Sequence, residues 1–156
     1  MTPLEAAASQ LGVQEKTGNN DGVPAKRYMR GDELAWCAGF VSWCLDQGGD
    51  KRINPDDKTY YKTRAVTGFV ARAKTLGLFR SGAGYEPKPG DIIFFGNGAD
   101  SDVGRKGNHM GIVEAYDPLR AGRNIDTIEG NTSNKVARRS YHLGDARIIG
   151  FAAMSI

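Results

Sequence analysis

Two hydrophobic stretches in the first half of the chain follow the spacing of an α-helix. Residues 36–45 are apolar almost throughout, and the run stops before Gly48-Gly49, a typical helix end. A second run at about residues 63–76 carries apolar residues at positions i, i+3, i+4 and i+7, namely Val66, Phe69, Val70 and Ala73. The pattern predicts a central buried helix and, after it, a helix with one apolar face.

The N-terminal residues predict one further helix. Thr2-Pro3-Leu4-Glu5 resembles a capping box with proline at the first helical position, and Gly12 is expected to end the helix. Residues 17–22 are rich in glycine, asparagine and aspartate, a composition that predicts a turn-rich loop before the central helix.

The second half of the chain changes to short apolar runs of strand length. They lie at residues 91–95, 109–115, 125–129, 136–141 and 148–153, and a glycine-rich loop at 96–108 separates the first two. Helices first and then four or five strands joined by turns are typical of an α+β fold. We therefore expect N-terminal helices packed on a mostly antiparallel sheet of about five strands.

Composition places these elements in one domain. The chain has 156 residues, of which 40% are hydrophobic and 25% charged, so we expect a single globular domain over residues 1–156. The net charge is +3, but the basic residues are dispersed and their longest clusters are Arg105-Lys106 and Arg138-Arg139. Such sparse charge argues against nucleic-acid binding. We find neither a run long enough to insert in a membrane nor a visible signal peptide.

Candidate chemistry rests on few side chains, because the chain has two cysteines and two histidines. Cys37 stands at the opening of the central helix, where the helix dipole and free backbone N–H groups stabilise a thiolate. Cys37 is therefore the first candidate for a nucleophile. An alternative stays open, because Asp32 could cap the helix one turn earlier and leave Cys37 inside it.

The second cysteine has a simpler interpretation. Cys44 lies seven positions after Cys37, so on one helix their Cα atoms would be roughly 10 Å apart. A disulfide needs less than about 7 Å. We expect no disulfide, and we expect Cys44, between Trp43 and Leu45, to be a buried core residue.

His109 is the candidate partner of the thiol. It begins a predicted strand in which Gly111 and Val113 share its face, and the missing side chain of Gly111 leaves room above the ring. A catalytic histidine must be oriented by a third group. Glu129 and Asn131, at the end of the next predicted strand, are the two candidates for that group, whereas His142 is expected to be structural or exposed.

A structural zinc module is the alternative from another class of protein. The two cysteines and two histidines form a nominal ligand set, Cys37, Cys44, His109 and His142. Structural zinc sites usually take cysteines two to four residues apart, and a spacing of seven on a helix does not suit one ion.

Five sequence blocks, in order, resemble the CHAP domain, the family of cysteine, histidine-dependent amidohydrolases and peptidases. They are Trp-Cys-Ala-Gly-Phe-Val-Ser-Trp-Cys-Leu at 36–45, Lys-Pro-Gly-Asp-Ile-Ile-Phe-Phe at 88–95, Asn-His-Met-Gly-Ile-Val-Glu at 108–114, Thr-Ile-Glu-Gly-Asn-Thr at 127–132 and Arg-Ile-Ile-Gly-Phe-Ala at 147–152. The resemblance implies a papain-like fold. It also implies cleavage of amide bonds in the peptide part of peptidoglycan, as an amidase or an endopeptidase.

The resemblance also implies roles for four residues. The nucleophile of the family corresponds to Cys37, its base to His109, its orienting acid to Glu129 and an accompanying amide to Asn131. The substrate would be the stem peptides of the wall. The protein would act in the periplasm or cell wall as a phage lysin or an interbacterial toxin, as a monomer, and a toxin would have an immunity protein.

We expect no cofactor and no required metal. Some members of the family bind calcium through an acidic loop before the cysteine, but Arg30-Gly31-Asp32-Glu33 offers only two adjacent carboxylates. Residues 100–104 lack the later glutamate of a calcium loop. A catalytically silent wall-binding module remains the second alternative.

Overall fold

The computed structural model describes residues 1–53, 66–82, 84–96 and 107–155. Within these ranges the helices precede the strands, as predicted. The helices are α1 Pro3–Ser9, α2 Val23–Tyr28, α3 Cys37–Gln47 and α4 Val66–Thr75, and the strands are β1 Phe79–Ser81, β2 Ile92–Gly96, β3 Gly107–Tyr116, β4 Ile125–Thr132, β5 Lys135–Tyr141 and β6 Ile148–Ala152. The predicted α+β class is confirmed.

Helix α1 begins with the predicted capping box. The Thr2 hydroxyl accepts a hydrogen bond from the Glu5 amide at 3.1 Å, and the Glu5 carboxylate accepts one from the Thr2 amide at 3.1 Å. The helix ends at Ser9, and Gly12, with φ of +90°, then turns the chain toward β5. The Gly12 amide donates to the carbonyl of Val136 at 3.0 Å, so this segment lies along the edge strand.

Helix α3 is buried and lies against β3 and β4. The contact with β4 needs a glycine, because a Cβ on Gly130 would lie 2.6 Å from the Cβ of Phe40. The predicted apolar face of α4 is also buried, through Val66, Phe69, Val70 and Ala73. The predicted start of that helix near Thr63 lies outside the described residues.

The six strands form one antiparallel sheet in the order β1-β6-β2-β3-β4-β5. Residues of the central strands enter two separate apolar clusters, one on each face of the sheet. The cluster shared with the helices contains Ile92, Phe94, Met110, Ile112 and Ile128. The other contains Ile93, Phe95, Val113, Ile125 and Phe151. The period-two pattern thus buries both faces of the central strands.

Two elements were not predicted from sequence. Helix α2 has six residues and β1 has three, which is too few for a helical or a strand periodicity to be recognised in the sequence. Helix α2 is fixed by tertiary contacts, since Arg27 and Tyr28 both donate to the side-chain oxygen of Gln10, at 2.5 and 2.8 Å. None of the described helices is long and apolar enough to cross a membrane.

Candidate active site

Cys37 is the first residue of α3, as predicted, and Asp32 does not begin the helix. The residue before it, Trp36, makes no capping hydrogen bond with its side chain, and the first turn carries no acidic residue. The positive end of the helix dipole therefore acts on the thiol without a competing cap. Cys37 is buried, with 8% of its surface exposed.

A buried carboxylate fixes the residue that precedes Cys37. The indole N–H of Trp36, which is fully buried, donates to Oε2 of Glu15 at 2.7 Å. The other oxygen of Glu15 accepts from the backbone amide of Asn20 at 3.0 Å, and the ring of Tyr28 stacks on Trp36 with centroids 5.5 Å apart. Glu15 therefore ties the N-terminal loop to the start of α3. Sequence inspection did not single out this residue.

Replacing Glu15 tests this link through stability. Glu15→Ala leaves the buried indole N–H of Trp36 without its acceptor, and we expect a loss of about 1–3 kcal/mol in the free energy of unfolding. Glu15→Gln keeps an acceptor oxygen and should lose less. Urea unfolding of the three proteins measures the difference. A Glu15→Ala variant as stable as the wild type would contradict the assigned role.

His109 and Glu129 meet on neighbouring strands β3 and β4. The ring Nε2 of His109 lies 2.7 Å from Oε1 of Glu129, and the ring also hydrogen-bonds the thiol of Cys37. Because Nε2 is occupied by Glu129, Nδ1 is the ring nitrogen left for the thiol. The His109 side chain is 25% exposed and that of Glu129 is 1% exposed. The structure therefore brings together three of the four residues expected in the site.

The surroundings of His109 favour its charged form. Burial disfavours the imidazolium, but the hydrogen bonds to Cys37 and Glu129 and the negative charges of both groups outweigh it. Together they raise the pKa of His109 to about 9. The ring is therefore protonated at neutral pH, and an imidazolium beside Cys37 stabilises a thiolate.

Glu129 is held by hydroxyl groups that sequence inspection missed. The hydroxyl of Thr127 donates to Oε2 of Glu129 at 2.5 Å, and both residues are buried. Tyr141 on β5 also hydrogen-bonds Glu129. Burial, and after it the negative charge of Glu129, raises the pKa of the Tyr141 phenol, so the phenol stays protonated and remains a donor. Thr127 was recognisable in principle, since a residue two positions before Glu129 in a strand lies on the same face.

Gly111 makes room for the Glu129 side chain. A Cβ at position 111 would lie 2.6 Å from Cγ of Glu129 and 3.1 Å from the carbonyl oxygen of Ile128. The sequence led us to expect space above the histidine ring. The space is instead filled by the carboxylate that contacts the ring.

We expect Gly111→Ala to displace Glu129 from His109 and to lower the rate of the catalysed reaction roughly a hundredfold. Gly82→Ala is the matched control, because a Cβ there meets its nearest atom at an ordinary contact distance of 3.4 Å. Circular dichroism checks folding and a rate assay checks activity. Equal activity of the two variants would show that Glu129 need not occupy its present position.

Asn131 is not joined to this group by any described hydrogen bond. It is half-buried, has a left-handed backbone with φ of +56°, and stands where the register between β4 and β5 shifts. Across the described part of the chain, no hydrogen bond joins its side chain to His109 or Glu129. A supporting role for this amide stays a prediction.

The residues of the zinc alternative do not converge. Cys44 is fully buried in the helix-side core, and burial raises the pKa of its thiol. His142 is exposed and accepts from the Gly144 amide at 2.9 Å through Nδ1. Among the residues that the structure describes, no three His, Cys, Asp or Glu side chains are grouped to hold a metal ion. Both cysteines are free thiols, as predicted, and residues 100–104 lie outside the described ranges.

Solved structures share this fold. An N-acetylmuramoyl-L-alanine amidase from Bacteroides uniformis aligns with a TM-score of 0.55 and 12% identity, over 97% of this chain and 97% of that one. The structure of Ly7917 aligns with a TM-score of 0.55 and 19% identity, over 98% of this chain but 62% of the other. No curated protein matches this sequence significantly. These likenesses confirm the papain-like fold.

A family model gives the assignment. The model described as the CHAP domain matches residues 29–131, about two thirds of the chain, and this range includes Cys37, His109, Glu129 and Asn131. The matched range begins before α3 and ends within β4, so it contains α3, β3 and the part of β4 that carries Glu129. The chain therefore belongs to the CHAP domain family.

Proposed function

We propose that this protein hydrolyses amide bonds in the peptide part of peptidoglycan, with Cys37 as its nucleophile. The observation that carries the proposal is the contact of Cys37, at the start of α3, with His109, which in turn contacts Glu129 at 2.7 Å. Membership of the CHAP domain family supports the same chemistry. A solved structure that shares the fold is an N-acetylmuramoyl-L-alanine amidase, which supports this substrate class.

The reaction would begin from a thiolate–imidazolium pair. The thiolate of Cys37 attacks the carbonyl carbon of the amide and forms a tetrahedral intermediate whose oxygen carries the negative charge. The backbone N–H of Cys37, at the start of α3, would donate to that oxygen. The imidazolium of His109 then gives its proton to the leaving amine, the C–N bond breaks, and a thioester to Cys37 remains.

The second half of the reaction reverses these roles. Neutral His109 removes a proton from water, and the resulting hydroxide attacks the thioester carbonyl. The C–S bond breaks, the acyl fragment leaves with a new carboxylate, and the thiolate–imidazolium pair is restored. Glu129 would keep Nε2 of the ring engaged throughout, so that Nδ1 faces the sulfur and the substrate.

The same apparatus suits two bonds, and defined substrates distinguish them. An amidase releases the stem peptide from the glycan, whereas an endopeptidase cuts within the stem or cross-bridge. Mass spectrometry of reactions with a disaccharide-linked stem peptide and with a free cross-linked stem peptide identifies the bond. If neither substrate is cleaved, the proposed function is overturned and a catalytically silent wall-binding module is favoured.

We further propose that the protein acts in the periplasm or cell wall, as a phage lysin or as a toxin delivered between bacteria. Expression in a bacterium with and without an added export signal tests this idea. We expect the cells to lyse only when the protein is exported, and we expect Cys37→Ala to abolish this lysis. An immunity protein encoded beside a toxin should suppress that lysis when co-expressed in the periplasm.

The domain would act alone. Cys37, His109 and Glu129 come from one chain, so no second copy is needed to complete the site. We therefore propose a monomer formed by residues 1–156 as a single catalytic domain. Light scattering on purified protein should give the mass of one chain, 16.9 kDa.

A further inference from the structure

A fully buried hydroxyl contacts the carboxylate of Glu129 on the side away from His109. The Thr127 hydroxyl lies 2.5 Å from Oε2 of Glu129, whereas His109 engages Oε1 at 2.7 Å. The exposed fractions of Thr127 and Glu129 are 0% and 1%. Short O–H···O⁻ contacts of this length are charge-assisted hydrogen bonds and are stronger than neutral ones.

The local geometry gives this hydroxyl one good acceptor. The other oxygen within reach, the carbonyl of Arg139, is 3.4 Å away, beyond the usual range for a hydroxyl donor. Thr127 and Glu129 are separated by two positions in β4, so their side chains leave the strand on the same face. The threonine therefore restrains the carboxylate from within its own strand.

We propose that Thr127 is a positioning residue of the active site: its hydroxyl fixes the Glu129 carboxylate so that the opposite oxygen meets the His109 ring. This inference rests on the proposed function for its effect on rate, but the hydrogen-bond geometry stands without it. Loss of the hydroxyl should loosen the contact between Glu129 and His109. The imidazolium then loses part of its stabilisation.

Several charged or titratable groups face this pair. Cys37 faces His109 from α3, and Tyr141 faces Glu129 from β5. The guanidinium of Arg147, paired with Asp145 at 2.7 Å, lies over the Tyr141 ring and interacts with the charge of Glu129. All of them are unchanged in a Thr127 variant, so a shift in the titration of His109 reports the loss of the hydroxyl.

The matched variants are Thr127→Val, which keeps the shape and removes the hydroxyl, and Thr127→Ser, which keeps the hydroxyl. NMR titration of the full chain labelled with ¹⁵N-histidine follows His109, and exposed His142, the second of two histidines, is the internal reference. We expect Thr127→Val to lower the midpoint of His109 by about one pH unit. His142 should not move, and Thr127→Ser should match the wild type. An unchanged or raised midpoint in Thr127→Val would overturn the proposal.

A second measurement needs no variant and covers the case in which Thr127→Val does not fold. In the wild-type protein, the hydroxyl proton of Thr127 should resonate downfield and exchange slowly with water, because a buried carboxylate accepts it. A resonance at the position of ordinary, rapidly exchanging hydroxyl protons would overturn the proposal.

Kinetics separate this inference from the proposed function. With a wall substrate, Thr127→Val should lower kcat about tenfold and leave KM unchanged, and the alkaline limb of its pH profile should move to lower pH. An inactive wild type whose His109 midpoint still depends on Thr127 would refute the proposed function and keep the positioning role. An active wild type with no effect of Thr127→Val on midpoint or rate would refute the positioning role alone.

Discussion

Cys37→Ala is expected to abolish wall hydrolysis, with a loss of roughly four orders of magnitude or more in rate. The reason is that no covalent intermediate can form without the sulfur at the start of α3, and no other described thiol contacts His109. Folding should be preserved, because alanine suits the first turn of a helix. Release of soluble fragments from purified peptidoglycan measures the loss.

Cys44→Ala is the matched control. Cys44 lies on the same helix and is fully buried, and burial raises the pKa of its thiol. This variant should keep most of the activity at some cost in stability. Iodoacetamide near neutral pH should label Cys37 before Cys44 in the wild type. Equal loss of activity in two folded variants, or earlier labelling of Cys44, would count against Cys37 as nucleophile.

His109→Ala is the second change with a very large expected effect. It removes both the partner of the thiolate and the proton donor for the leaving amine, so its activity should fall nearly to that of Cys37→Ala. His142→Ala is the control, since the ring of that residue is exposed and bonded to the Gly144 amide. A folded His109→Ala protein with substantial activity would remove the histidine from the mechanism.

Glu129→Gln should rank between His109→Ala and the wild type, with a loss on the order of a hundredfold. The structure also predicts the direction in which the pH–rate profile shifts in this variant. The negative charge of Glu129 helps to raise the pKa of His109 to about 9, so removing that charge lowers this pKa. The His109 imidazolium loses its proton as the pH rises through this pKa. The alkaline limb of the rate profile should therefore move to lower pH, and an upward move would contradict the pairing.

If Glu129→Gln were fully active and Asn131→Ala inactive, the orienting group would be Asn131. The structure supports the opposite ranking. Glu129 lies 2.7 Å from the ring of His109, whereas the described hydrogen bonds do not join Asn131 to either residue.

The sequence predicted the elements that carry the site, because each has a strong local signal. Helix α3 has an apolar run with a glycine stop, and β3 and β4 alternate with the period of a strand. These signals were sufficient to put Cys37 at a helix start. The strand pattern also made His109 the candidate partner of the thiol, and the resemblance to the CHAP domain then assigned the orienting acid to Glu129.

What the sequence did not predict depends on contacts between distant segments. Glu15 is 21 positions from Trp36, and nothing in its neighbourhood indicates a buried carboxylate. Tyr141 reaches Glu129 from the edge strand β5, which requires the register of the sheet. The role of Gly111 is visible only when the path of the Glu129 side chain is known. Such details follow from tertiary packing rather than from local pattern.

The most direct test of the central claim is one digestion of purified peptidoglycan by the wild type and by Cys37→Ala, with mass spectrometry of the products. We predict that the wild type hydrolyses an amide bond, creating one new amine and one new carboxylate, and leaves the glycosidic bonds uncut. We predict that Cys37→Ala releases no products. Cleavage of the glycan, or the same products from Cys37→Ala, would contradict an amide hydrolysis that uses this thiol.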